Sequence, residues 1–204
     1  TLEPGQSTPA PWVNVIASPH IGTVVSESGS AYTWVENAHE FRLTTWHNDP
    51  LSDSSGEALY IRDEDTGAFW SPSWQPTRHE LEHYVCRHGL GYTVIGSTYR
   101  GITAETCYFV PLGENLEVWQ LIVTNHRENV ARLSVFSCVE FCLWDAWDDA
   151  TNFQRNFSIG EVEVDVAQRR GIDRFARRAL GPNRFVRVDL LQRPERQDDH
   201  RLKR

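Results

Sequence analysis

The sequence predicts an all-β protein, a large antiparallel β-sandwich, on three observations. Short apolar or alternating runs recur between turn clusters at roughly the 8 to 12 residue spacing of sandwich strands. No part of residues 1–164 sustains the i, i+3, i+4, i+7 apolar stripe of an amphipathic helix. The later stretches, "LEVWQLIVTN" and "ARLSVFSCVEFCLW", are two long apolar runs on either side of residues 125–129, as in buried strands.

The elements follow in order. Residues 1–10 read as an extended lead-in, because Pro4, Pro9 and Pro11 fix φ and withhold backbone donors. "TVVSESGSAYTWV" gives two runs about a Ser-Gly-Ser turn, and "EALYIRDEDTGAFWSP" a hairpin around Asp65-Thr66-Gly67. "YTVIGSTYRGITAETCYFVP" is a pair around Arg100-Gly101, and "HGLGY" is a bend between strands. The next two runs flank residues 125–129 and are expected to form one long hairpin. In its first arm Val118, Gln120 and Ile122 alternate with Trp119, Leu121 and Val123, so the strand should be buried on both faces. "GEVEVDV" sets Val162, Val164 and Val166 against Glu161, Glu163 and Asp165, a half-exposed strand.

At 204 residues the chain suits one sizeable domain. We assign the sandwich to residues 11–166 and a basic tail to residues 167–204. Residues 1–164 carry 8 Arg against 22 Asp and Glu, whereas residues 165–204 carry 12 Lys and Arg against 6 Asp and Glu. An acidic body lacks the clustered basic surface that binding nucleic acid requires. The arginine-rich tail has no apolar face or interleaved aromatics, so neither a membrane nor a nucleic acid is its expected partner. It is expected to be a solvated, poorly ordered or partly helical segment. No apolar run approaches the roughly 20 residues of a membrane span, and the opening residues lack the pattern of a signal peptide. Four cysteines, Cys86, Cys107, Cys138 and Cys142, are too few for a disulfide framework and fit the cytoplasm. A chain starting at Thr1 with no methionine anywhere reads as part of something longer.

Three sets of residues have chemistry worth weighing. His79 and His83, with Cys86 and His88 beyond, offer nitrogen and sulfur ligands, but no second ligand pair completes a zinc-type pattern; no metal is expected. Ser26 and Ser28 lack the strand-to-helix elbow of a nucleophilic serine and a matched histidine and acid. Asp145, Asp148 and Asp149 lie between and beside Trp144 and Trp147, where a sugar could stack. Carboxylates so close in sequence sit side by side, whereas glycoside cleavage needs two acids roughly 5 to 10 Å apart across the substrate. No catalytic residue is therefore assigned. Beyond them "NFQRNF" sets Asn152, Gln154, Arg155 and Asn156 between two phenylalanines, planar donors and acceptors suited to hydroxyls or an anion.

Four stretches, "PWVNVIASPHIGTVVSESGSAYTW", "FWSPSWQPTRHELEHYVCRHGLGYT", "FVPLGENLEVWQLIVTN" and "FSCVEFCLWDAWDDATNFQRNFSIGEVEV", closely resemble the N-terminal part of cellobiose phosphorylase and its relatives in glycoside hydrolase family 94. Cyclic β-1,2-glucan synthases share the opening stretch and "RDEDTG", and form a near alternative; a stand-alone carbohydrate-binding module is a second. The resemblance implies a supersandwich preceding a linker helix and an (α/α)6 barrel, with the general acid and the phosphate-binding residues in that barrel and outside this chain. It implies a domain that helps bind a β-glucoside disaccharide or oligosaccharide and forms a homodimer, with inorganic phosphate as co-substrate and no cofactor. It further implies that Gln154, Arg155 and Asn156 border the sugar site of the neighbouring subunit. The resemblance stops near Val164, so the sandwich is expected to be incomplete at its C-terminal end, with unpaired strand edges there.

Overall fold

The computed structural model describes residues 8–47, 49–145, 151, 178–180 and 185–192. Its elements are strands, all paired antiparallel. The first sheet holds β1 (Val13–Ala17), β2 (Ile21–Ser26), β3 (Ala31–Val35), β4 (Phe41–Thr44) and β12 (Phe141–Asp145), in the order β1-β2-β3-β4-β12. The second holds β7 (His83–Gly89), β8 (Tyr92–Tyr99), β9 (Ile102–Phe109), β10 (Glu117–Asn125) and β14 (Phe185–Gln192), ordered β14-β10-β9-β8-β7. The third holds β5 (Glu57–Asp63), β6 (Phe69–Trp70), β11 (Ala131–Val139) and β13 (Arg178–Leu180), ordered β13-β11-β5-β6.

The first and third sheets meet edge to edge where β11 runs into β12. At the junction the Glu140 N–H donates to the Gly56 carbonyl over 2.6 Å, and the Thr45 N–H donates to the Glu140 carbonyl over 3.4 Å. Together they face the second sheet. One part of the core, Ile61, Trp70, Ile102, Leu121, Val123 and Leu133, joins the third sheet to the second. The other part, including Ile16, Val25, Leu59, Ile95 and Trp119, brings in all three. Alternation fixes which side chains enter: Leu59 and Ile61 on β5, and Trp119, Leu121 and Val123 on β10, are at most 2% exposed, as the period of two demands.

The expected hairpins β2–β3, β5–β6 and β8–β9 are present. Arg100 and Gly101 both take positive φ, 49° and 72°, the pattern of a type I′ turn whose twist matches its strands. "HGLGY" is the bend between β7 and β8, with Gly91 at φ 80°.

Two expectations change. β10 and β11 are not paired as a hairpin: β10 lies between β9 and β14, and β11 between β5 and β13. The chain crosses from one layer to the other between them, because each arm already has an inward apolar row that must meet the opposite layer. β10 is also not fully buried on both faces, since Gln120, Ile122 and Thr124 are half-buried while the facing row is closed. The tail differs too. Residues 178–180 and 185–192, expected to be solvated or helical, are strands that pair with β11 and β10. "FVRVDLLQ" alternates apolar with polar residues through most of its length, which suits a ladder better than a solvated helix.

Candidate functional site

Among the described residues, β12, the strand that leads to the sequence-predicted site, stands at the end of its sheet. β12 pairs with β4 through a bulge between Phe141 and Trp144, and Asp145 closes it opposite Phe41. Asp148, Asp149, Gln154, Arg155 and Asn156 lie outside the described residues, as does the strand expected at residues 160–166. A bulged edge is a common place for a chain to leave a sheet and present loops.

The other sequence candidates are engaged locally. Ser26 and Ser28 both donate to Asp53 Oδ2, Ser26 over 2.8 Å, so a carboxylate and not the imidazole of a serine triad faces the hydroxyls. His79 packs edge-on against Tyr99, centroids 5.5 Å apart, and against Phe69 at 6.1 Å. His88 meets the Thr93 hydroxyl at 3.0 Å and the Cys86 sulfur at 3.7 Å. Among the described residues no three His, Cys, Asp or Glu side chains converge as metal ligands. Cys142 is buried and Cys138 exposed, although they are four apart, because the β11–β12 junction intervenes.

Two features were not singled out from the sequence. The first is a concavity of about 290 Å³ on the outer face of the third sheet, lined by Tyr60, Arg62, Gly67, Phe69 and Phe136. Phe136 stands opposite Tyr60, and Phe69 opposite Arg62. Phe69 and Phe136 remain 55% and 50% exposed. Aromatic faces beside a guanidinium fork can stack on a ring and bind its hydroxyls.

The second feature is a buried pair of acids. Glu57 of β5 is 3% exposed and Glu117 of β10 is 0% exposed. Thr33 Oγ1 of β3 lies 2.7 Å from both Glu57 Oε1 and Glu117 Oε2. Thr44 Oγ1 donates to Glu57 Oε1 over 2.7 Å and accepts the Thr33 N–H over 2.7 Å. Burial drives the Glu57 carboxyl well above its usual range, and the neighbouring Glu117 adds to the rise. Burial lifts Glu117 to about 7, against the pull of Thr33, Trp119 and Thr23 toward the ionised form. Trp119 Nε1 acts there by proximity, since it lacks a partner at full hydrogen-bonding geometry. Parity alone marks both acids: Glu57 shares the inward row of Leu59 and Ile61, and Glu117 that of Trp119 and Leu121. The void beside them, lined by Gly29, Ala31, Leu59, Tyr108 and Trp119 among others, has no room for a sugar ring, so the pair is not set up to cleave one.

Comparison with known proteins bears on the whole chain. Residues 1–199 match the model of the glycosyl hydrolase 94 supersandwich domain. The N,N'-diacetylchitobiose phosphorylase of Vibrio proteolyticus is 36% identical over 167 residues, covering 78% of this chain and 21% of that protein. Solabiose phosphorylase of Paenibacillus borealis is 35% identical over 146 residues, 68% of this chain and 18% of its own length. The cyclic beta-(1,2)-glucan synthase NdvB of Rhizobium meliloti (strain 1021) is 32% identical over 142 residues, 70% of this chain and 5% of its own. The chain thus spans about a fifth or less of these relatives.

Proposed function

Because the chain belongs to the glycosyl hydrolase 94 supersandwich family, we propose that it is the N-terminal carbohydrate-binding and dimerisation domain of an inverting disaccharide phosphorylase. The observation that carries this reading is the family match over residues 1–199, together with relatives whose names are those of phosphorylases. In this reading a β-linked disaccharide or oligosaccharide is split by inorganic phosphate, and the general acid and phosphate ligands are supplied by another domain. Phosphate, already an anion, takes the place of a hydrolase's water and base. Gln154, Arg155 and Asn156 border the sugar site of the neighbouring subunit, where the arginine fork donates to hydroxyls or phosphate. No metal or organic cofactor takes part. The proposed compartment is the cytoplasm, where four free cysteines stay reduced; among the described residues no helix is long and apolar enough to cross a membrane.

The same domain in a cyclic β-1,2-glucan synthase is the near alternative, supported by the match to NdvB. A stand-alone carbohydrate-binding module is the second reading, favoured by the concavity at Tyr60, Phe69 and Phe136. Titration calorimetry of the purified chain with cellobiose and N,N'-diacetylchitobiose separates them. The phosphorylase reading expects no binding heat without the other domain. Saturable heat that disappears in Phe136→Ala establishes the module instead.

A further inference from the structure

We propose that Glu57 and Glu117 hold one proton between them through Thr33, and that this shared proton fastens the three sheets together, so that its loss loosens the sandwich. Thr33 belongs to the first sheet, Glu117 to the second and Glu57 to the third, and the Thr33 hydroxyl touches both acids at 2.7 Å. A hydroxyl has one proton to give. It satisfies one of these contacts, and the other, oxygen to oxygen at hydrogen-bond length, needs a proton from a carboxyl. The neighbouring hydroxyl cannot supply it, because Thr44 spends its own proton on Glu57 Oε1 while accepting the Thr33 N–H. One proton on the pair completes the chain from acid to hydroxyl to carboxylate; without it two lone pairs face each other in a closed interior.

The surroundings agree. Glu57 Oε2 and Glu117 Oε1 are buried with no hydrogen-bond partner, a heavy penalty for two full charges and a smaller one for a neutral acid beside one charge. Among the described residues, the ion pairs found elsewhere reach neither acid. Among the described residues, the groups acting on the pair include no cation: β2, β3 and β4 supply Thr23, Thr33 and Thr44, β10 the Trp119 indole, and β9 Tyr108, which is in turn influenced by Cys86 of β7. Burial keeps both Tyr108 and Cys86 in their neutral forms.

The sign follows from linkage. Folding raises the acids above their ordinary value of 4.5, Glu117 to about 7. Their contribution is therefore complete below about pH 4.5 and falls away as pH rises above it through the raised values of the folded pair.

The test compares thermal unfolding of the full chain from pH 5 to 8 with that of Glu117→Gln, whose amide N–H donates to Thr33 at every pH. The wild-type midpoint should fall by roughly 5 °C or more relative to the variant across this range. Infrared difference spectroscopy of the wild type keeps the test decisive if the variant does not fold: a protonated carboxylic C=O band should be present at pH 6 and vanish as pH rises. Parallel pH profiles for the two proteins, or no such band at pH 6, overturn the proposal.

Discussion

Asp63→Asn should destabilise the sandwich strongly at neutral pH and hardly at all in acid. Asp63 ends β5, is 1% exposed, and accepts the N–H groups of Asp65 and Thr66 at 3.0 and 3.1 Å on Oδ1. Its Oδ2 takes the Arg127 guanidinium at 2.6 Å. Arg127 sits in the turn that carries the chain from β10 to β11, so the pair ties the two layers at their crossover. Burial alone would raise this carboxyl, but Arg127 and the two backbone donors outweigh it and hold it below its ordinary value of 3.8. Asparagine can keep both backbone bonds on its carbonyl oxygen, yet it must turn an NH2 toward the guanidinium. Losing one charged hydrogen bond at a buried carboxylate, discounted because the Arg127 side chain is 26% exposed, gives about 2–3 kcal/mol. Urea unfolding monitored by tryptophan fluorescence at pH 7 measures it as a lower midpoint at unchanged slope. Since the folded value is depressed, the stabilisation is present above about pH 4 and is lost as pH falls through it. Wild type and variant should converge once pH has fallen below the depressed folded value. A gap under about 0.5 kcal/mol at neutral pH, the range of an ordinary surface substitution, or a gap that does not change with pH, would refute the reasoning.

Two substitutions test the packing. Leu121→Ala, at a fully buried position of β10 between the layers, should cost about 3 kcal/mol through lost transfer energy and a residual cavity; a denaturant midpoint within error of wild type would contradict the layer arrangement. At Gly22 an added Cβ would lie 2.2 Å from the Trp34 ring, its cross-strand partner, so Gly22→Ala should cost about 1–3 kcal/mol by overpacking. A double-mutant cycle with Trp34→Ala should recover most of that loss, and strictly additive losses would show that the indole is not the obstacle.

Fold class was legible because the chain writes it locally. Period-two rows at residues 57–63 and 117–125 and the Arg100-Gly101 turn need no knowledge of distant partners. Which strand pairs with which is a different matter. "LEVWQLIVTN" and "ARLSVFSCV" look like a hairpin because they are adjacent and both apolar, but the inward row of each must be covered by the opposite layer, and only the three-sheet arrangement reveals that they belong to different layers. The tail misled for a related reason: its arginines dominate composition, while the alternation of Val186 to Leu190 that supports a strand is short. Glu57 and Glu117 carry no motif that singles them out, although their parity with Leu59 and Trp119 points inward. No local signal joins them to Thr33, since that contact is made across 24 and 84 residues of chain.

The central claim, that this sandwich borders a sugar site whose reactive groups come from another domain, is tested most directly by phosphorolysis in a chimera. Residues 1–199 would replace the matching segment of the Vibrio proteolyticus phosphorylase, and sugar phosphate would be measured with and without Arg155→Ala. The account predicts no turnover by the isolated chain, phosphate-dependent turnover by the chimera, and a loss of roughly tenfold or more in kcat/KM for the arginine variant, the scale of one charged hydrogen bond. Glycosidic cleavage by the isolated chain, or a chimera indifferent to Arg155, would contradict it.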